Sequence, residues 1–185
     1  MIKPIAKNFK GLISISGPTR SGKSQLAEFL IKEKNPVTYI ATSKPRPNDP
    51  DWLQRIDHHR KRRPERWTIL EHPKDICKSI ESMNGDESIL IDSLGGLVVD
   101  SLNMDNSYWN NFQNKLLNCF TKDNLCIVVV SEEVGWGIVP ATPIGHLFRE
   151  RQSQLSSLIS SHSKKRWIAV NGTAIDLDKI GDLIP

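Results

Sequence analysis

Cysteine is scarce in this chain of 185 residues: there are three, Cys77, Cys119 and Cys126. They are odd in number and lack CxxC spacing, which excludes a disulfide framework and a cysteine-based zinc site and leaves reduced, buried thiols. No apolar run approaches the roughly 18 residues of a membrane span. The opening MIKPIAKNFK is basic, but no apolar stretch or small-residue cleavage site follows it, so it does not read as a secretory signal. A cytoplasmic location is expected. Internal repeats and low-complexity segments are also missing. Charge of neither sign dominates: 25 Lys and Arg face 21 Asp and Glu, a net charge of +4. Such a balance permits a polyanionic partner without demanding one. With 38% hydrophobic and 25% charged residues, the composition is that of one folded globular domain. Residues 1–10 are expected as an amino-terminal extension, and residues 11–185 as the domain.

What is present is an alternation. Short β-branched runs stand at Gly11–Ser16, Val37–Thr42, Ser88–Asp92, Cys126–Ser131 and Trp167–Asn171, with a weaker one at Trp67–Glu71. Nearly unbroken apolar runs of this length are strands buried on both faces. Helical patterns lie between them at Lys23–Lys34, Pro73–Met83, Asn106–Thr121 and Pro143–Ser161. The expected fold is a single α/β domain of P-loop NTPase-like (RecA-like) type. Its central sheet is mostly parallel, with helices on both faces. Lys44–Asp51, rich in Pro, Asn and Asp, reads as a loop.

The first strand runs into GPTRSGKS, comprising Gly17, Pro18, Thr19, Arg20, Ser21, Gly22, Lys23 and Ser24. This matches G-x-x-x-x-G-K-[ST] between a strand and a helix. Glycines there let consecutive N–H groups wrap a phosphate, and the helix adds its positive end. Lys23 reaches the terminal phosphates, and Ser24 offers an oxygen to Mg²⁺. Asp92 ends a later strand and is the candidate second Mg²⁺ ligand. Glu132 and Glu133, after the Cys126 strand, occupy the edge where open α/β sheets bind ligands, but have no assigned role.

The stretch RIDHHRKRRP, Arg55–Pro64, concentrates five cations around His58 and His59. Three readings compete: a solvated helix face, a nucleic-acid patch, and a phosphate-binding segment. A nucleic-acid surface would spread charge over a face and interleave aromatics, whereas only Trp52 and Trp67 are near. Neutral imidazole is a nucleophile that can attack phosphorus, with nearby guanidinium groups neutralising the phosphates.

From Gly11 onward the chain resembles the bifunctional adenosylcobinamide kinase/adenosylcobinamide-phosphate guanylyltransferases of cobalamin biosynthesis. The resemblance is carried, in order, by RSGKS (Arg20–Ser24), YIATS (Tyr39–Ser43), RIDHHRKRRP (Arg55–Pro64), W-x-x-x-E (Trp67–Glu71), EVGWGIVP (Glu133–Pro140) and the His146–Ser160 helix. It implies that His59, four positions after Arg55, is the histidine that becomes guanylylated, while His58 falls on a variable position. It implies further that Ala41, Thr42, Ser43, Arg60, Lys61, Arg62 and Arg63 line the GTP site. Glu71 would contact the nucleotide beyond its phosphates. Departures are Pro18 in place of a small residue, which removes one N–H from the phosphate cradle, Glu132 in place of Asn, and Asp51-Trp52 in place of an acidic–Met pair.

The expected function is therefore NTP-dependent phosphorylation of adenosylcobinamide, catalysed with Lys23, followed by transfer of GMP from GTP through His59 to the cobinamide phosphate. GTP and ATP would be substrates and Mg²⁺ the metal. The resemblance implies a homotrimer, and neither nucleic acid nor a membrane is an expected partner. Two other readings stay open: a single-function P-loop kinase for another small metabolite, and a nucleotide-dependent nucleic-acid binder.

Overall fold

Seven strands form one sheet in the order β3-β2-β4-β5-β1-β6-β7. The structure is a computed structural model; it describes residues 2–182 and 184, leaving aside the side chains of residues 55, 58 and 59. The strands are β1 (Gly11–Gly17), β2 (Val37–Ala41), β3 (Thr68–Glu71), β4 (Ser88–Asp92), β5 (Cys126–Glu132), β6 (Lys165–Val170) and β7 (Thr173–Asp176). All pairings are parallel except β6–β7. The helices are α1 (Lys23–Ile31), α2 (Pro50–Arg62), α3 (Ile76–Glu81), α4 (Leu94–Ser101), α5 (Asn106–Phe120), α6 (Pro143–Ser161) and α7 (Leu177–Ile180).

The apolar strands divide their side chains between two cores, as a sheet covered on both faces requires. Ile89, Ile91, Ile127 and Val129 face a core built with α3, α4, α5 and α6. Leu90, Val128, Val130, Ile13 and Ile15 face the other, built with Leu26, Leu30 and Ile31 of α1. Residues 2–10, expected as an extension, contribute to this second core. Ile5 is buried in it and its N–H donates to Leu30 O at 2.8 Å. The Lys34 ammonium ties the same segment down through Lys7 O and Phe9 O at 2.7 and 2.8 Å. The three cysteines are free and buried, as their scarcity and spacing predict.

Several boundaries and elements differ from expectation. The first helix ends at Ile31 rather than Lys34, and the Pro73–Met83 pattern is helical only over Ile76–Glu81. The last parallel strand begins at Lys165, and helix α2 begins at Pro50, inside the expected loop. Asp49 sets that start: its carboxylate accepts from Trp52 N at 3.0 Å, with Pro50 preset in the first turn. Helix α4 was not expected, because Gly95 and Gly96 open it and glycine disfavours helices. Packing explains both. A Cβ on Gly96 would stand 2.4 Å from Thr42 Oγ1, and one on Gly95 2.9 Å from Glu132 Oε2. Strand β7 was also missed, although its hairpin turn, Asn171-Gly172, has positive φ at both residues (49° and 75°), the signature of a tight two-residue connection.

Candidate functional site

Parallel register brings five strand ends to one edge. Gly17 of β1 lies opposite Glu132 of β5, Ala41 of β2 opposite both Glu71 of β3 and Asp92 of β4. The predicted phosphate loop, the two acidic strand ends and the segment after β2 are therefore neighbours by backbone pairing alone. This carboxyl edge is where open parallel sheets bind ligands.

The loop between β1 and α1 needs its first glycine. A Cβ on Gly17 would lie 2.2 Å from Ala169 O, so no other residue lets the loop pass β6 this closely. Gly22 caps α1 in the left-handed region at φ 98°, and Arg20 is also left-handed at φ 58°. Ser21 O accepts from Gly172 N at 3.1 Å, which fastens the loop to the β6–β7 hairpin. Lys23 is buried, and its ammonium donates to Pro18 O at 2.7 Å across the loop. Burial pulls its pKa below the ordinary lysine value, opposed by the negative charges of Glu132 and Asp92. Lys23 thus faces the two acidic strand ends.

Asp92 is half-buried, and its Oδ2 accepts the Tyr39 hydroxyl at 2.8 Å. Burial, and then the charge of Asp92, raises the Tyr39 phenol well above its ordinary value. Glu132 binds the turn that follows Asp92. Its Oε1 accepts the Ser93 hydroxyl in a short bond, and its Oε2 accepts Gly95 N at 3.1 Å. The Gln152 amide of α6 reaches Glu132 O at 3.3 Å and Ser131 Oγ at 3.1 Å. Burial pushes the Glu132 carboxyl above its ordinary value, while the Ser93 hydrogen bond holds it partly down. Thr42 is consumed by the same turn: it accepts from Ser93 N at 3.0 Å and donates to Ser93 O in a short bond. Of the predicted Ala41–Ser43 trio, Ser43 is exposed and Ala41 partly so.

The cations from Arg60 to Arg63 are partnered. Arg60 bonds Glu71 at 2.8 Å and Lys61 bonds Asp57 at 2.6 Å. Arg62 reaches both oxygens of Glu28 on α1, at 3.1 and 3.3 Å. Arg63 lies 3.7 Å from the same carboxylate and stacks its guanidinium 3.4 Å above the centre of the Tyr39 ring. Arg60–Arg63 therefore form a segment stitched to α1, β2 and β3. His59, the expected nucleophile, has its backbone in α2; its side chain lies outside the described residues. Tyr39 and Glu28 were not among the expected site residues. A tyrosine inside an otherwise apolar strand signals a hydroxyl in need of a partner, whereas nothing in the spacing of Glu28 marks it.

Hard oxygen donors suit Mg²⁺, and Ser24 with Asp92 supply them. The Tyr39 hydroxyl engages Oδ2 of Asp92. Among the described residues no group of three or more His, Cys, Asp or Glu forms a metal cage. A surface cavity of about 400 Å³, lined by Leu12, Thr121, Asp123, His162 and Lys164, opens at the opposite edge of the sheet and has no part in this site.

Comparison with known proteins bears on the fold and the family. A protein of Pyrococcus horikoshii OT3 superposes with a TM-score of 0.57 at 10% identity, covering 96% of this chain and 93% of that one. An ATP synthase subunit of Nanoarcheaum equitans gives 0.53 at 11% identity over 94% of this chain and 54% of that one. At such identities the likeness shows the fold, that of a P-loop NTPase. In sequence, the bifunctional adenosylcobalamin biosynthesis protein CobU of Escherichia coli (strain K12) is 28% identical over 181 residues, 90% of this chain and 99% of the relative. The bifunctional adenosylcobalamin biosynthesis protein CobP of Pseudomonas aeruginosa is 31% identical over 166 residues, 88% of this chain and 95% of that one. Residues 13–177, from β1 to the start of α7, match the family described as cobinamide kinase / cobinamide phosphate guanyltransferase. By fold, by the strand-end site and by a match running nearly end to end, this chain belongs to the cobinamide kinase/cobinamide phosphate guanyltransferase family of cobalamin biosynthesis enzymes.

Proposed function

We propose that this domain performs both family reactions at the carboxyl edge of the sheet and routes the second through His59. The observation that carries the reading is the convergence of Lys23, Asp92 and Glu132 at one point beside a basic helix, in a chain with this family match. In the kinase reaction, the Gly17–Ser24 loop binds the NTP. Lys23 leaves Pro18 O for the terminal phosphates, and the γ-phosphoryl group moves to the hydroxyl of the adenosylcobinamide arm. The O–P bond to the β-phosphate breaks as the new O–P bond forms. Ser24 and Asp92 would hold Mg²⁺, which would neutralise charge on the phosphate oxygens. In the transferase reaction, a neutral His59 nitrogen attacks the α-phosphorus of GTP and pyrophosphate leaves. The cobinamide phosphate oxygen then attacks the same phosphorus, breaking the N–P bond and yielding adenosyl-GDP-cobinamide. Arg60–Arg63 and Glu71 serve the nucleotide in this step, exchanging some of their mutual ion pairs for phosphate. Assembly as a homotrimer and a cytoplasmic location complete the reading.

The test is incubation with α-labelled GTP followed by intact mass measurement. The protein gains one GMP, the bond is acid-labile and base-stable, and His59→Ala removes it while His58→Ala retains at least part. Normal labelling of the His59→Ala protein overturns the assignment.

A further inference from the structure

The loop between β5 and α6 gathers exposed apolar side chains. Trp136 is 61% exposed, Ile138 96%, Val139 58%, and Ile144, in the first turn of α6, 51%. The other exposed large apolar residues, such as Leu53, Tyr108 and Ile180, stand apart along the chain, as single ones do on ordinary surfaces. A contiguous apolar group in water marks a binding surface.

The root of this loop is at the phosphate site. Glu133 N donates to Gly17 O at 2.8 Å, joining the loop to the first residue of the phosphate-binding segment. Gly135 N donates to Glu133 Oε1 at 2.8 Å, and Gly135 O accepts from Arg149 of α6 at 3.0 Å. Beyond this anchored root, a Cβ on Gly137 would meet nothing within 4 Å. The segment from Val134 to Gly145 contains no charged residue, so it offers no side-chain charge to a nucleotide's phosphates. Its chemistry suits a broad, flat ligand with apolar faces, for which an indole ring is a stacking surface.

We infer that Trp136, Ile138 and Val139 form the platform on which the corrinoid macrocycle lies, its hydroxyl-bearing arm directed toward Lys23. The inference rests on the reading that this protein acts on cobinamide, and it extends that reading to the substrate's ring. Geometry requires such a surface close by. The arm's hydroxyl must reach a phosphorus held beside Gly17 and Lys23, so the macrocycle lies within an arm's length of the loop root. The platform handles the ring in both reactions, since only the group at the end of the arm differs between them.

Equilibrium dialysis with dicyanocobinamide tests it. The Trp136→Ala/Ile138→Ala protein is expected to bind roughly ten- to a hundredfold more weakly, the scale of one aromatic and one aliphatic anchor. Trp136→Phe is expected to retain affinity within roughly threefold, because the stacking face survives. These side chains are exposed, so the melting temperature of either variant stays that of the parent, which separates lost binding from lost folding. Unchanged cobinamide affinity in the double variant overturns the platform. So does loss of binding that accompanies a fall in molecular mass by light scattering, which assigns the loop to a contact between copies of the chain. GMP labelling of the unmodified protein needs no corrinoid and judges the histidine route separately. An unlabelled protein whose cobinamide binding still depends on Trp136 supports the platform while removing that route.

Discussion

Two segments on the same sheet edge are built by opposite means. The Gly17–Ser24 loop and its acidic neighbours are anchored in the core, with Thr19 and Arg20 exposed at the loop's tip: Lys23 is buried, Gly17 is wedged against β6, and Glu132 is bonded into the turn after β4. Helix α2 is different. None of its described residues is fully buried, and it is held to the body mainly by charge, through Glu28, Glu71 and the Tyr39 ring. The first segment is a preorganised electrostatic site, which phosphoryl transfer requires because positioning and charge stabilisation are most of that catalysis. In the second, Arg60, Lys61, Arg62 and Arg63 each already have a partner, which under the proposed function an arriving triphosphate would displace. Such a segment can change partners during a reaction that a buried loop could not accommodate. The contrast also locates where substitutions hurt: activity is most sensitive in the loop, and stability at the joint between loop and helix.

Replacing Lys23 by Met sharpens the contrast most. Kinase turnover, measured as phosphate transfer from labelled NTP to cobinamide, is expected to fall roughly a hundred- to thousandfold, as when one preorganised charge is removed. Stability should move the other way. The folded pKa of Lys23 is depressed by burial, so keeping its charge costs folding free energy below that pKa. The penalty disappears as pH rises through the folded value toward the ordinary 10.5. Lys23→Met should therefore melt above the parent at pH 7, and the advantage should shrink near pH 10.5. A variant that melts lower at pH 7 would contradict the burial penalty.

Glu28 is the joint between the two segments. Its carboxylate serves Arg62 and Arg63, and the Arg63 side chain is only 6% exposed. Removing it leaves a buried guanidinium without its counter-charge. Glu28→Ala is expected to lose about 3 kcal/mol in urea unfolding, the low end of the range for breaking a buried pair. A loss under about 0.5 kcal/mol would mean that α2 does not depend on this joint.

Tyr39→Phe separates the hydroxyl from the ring. The ring still stacks under Arg63, but Asp92 loses its 2.8 Å hydrogen bond. About 1.5–3 kcal/mol of stability should go with it, a hydrogen bond to a charged acceptor. The freed Asp92 oxygen should alter the Mg²⁺ concentration needed for half-maximal kinase rate, read in a metal titration.

Arg60→Ala should have the smallest structural effect. Its pair with Glu71 leaves side chains 59% and 49% exposed, and surface pairs contribute about 0–1 kcal/mol and are screened by salt. Its effect on GMP labelling should exceed its effect on melting temperature. Equal and large effects on both would place Arg60 in the fold and not at the nucleotide.

The phosphate loop was legible because its spacing is a chemical requirement carried by adjacent residues: glycines, lysine and serine in one stretch between strand and helix. Of the six parallel strands, β1, β2, β4 and β5 were legible for a similar reason, since burial on both faces leaves an uninterrupted apolar run. The Asn171-Gly172 turn was equally local, and the strand after it was overlooked only because that strand is short and partly exposed. Helix α4 was not readable, because its two glycines weaken the helical signal and their purpose is to admit Thr42 and Glu132 from other strands. The partners of the basic stretch were hidden for the same reason. Glu28 lies 34 residues before Arg62, and only the packing of α2 on α1 brings the two together. The sequence by itself determined the fold class, the glycine-bounded Gly17–Ser24 loop between strand and helix, and the concentration of cations along the chain around His59, since each follows from residues close along the chain. Only the tertiary structure decided that Glu132 binds the turn beside Asp92, that Tyr39 links Asp92 to Arg63, and that an uncharged apolar loop opens from the phosphate site. Those contacts join residues distant in sequence, and chain folding alone brings them within bonding distance.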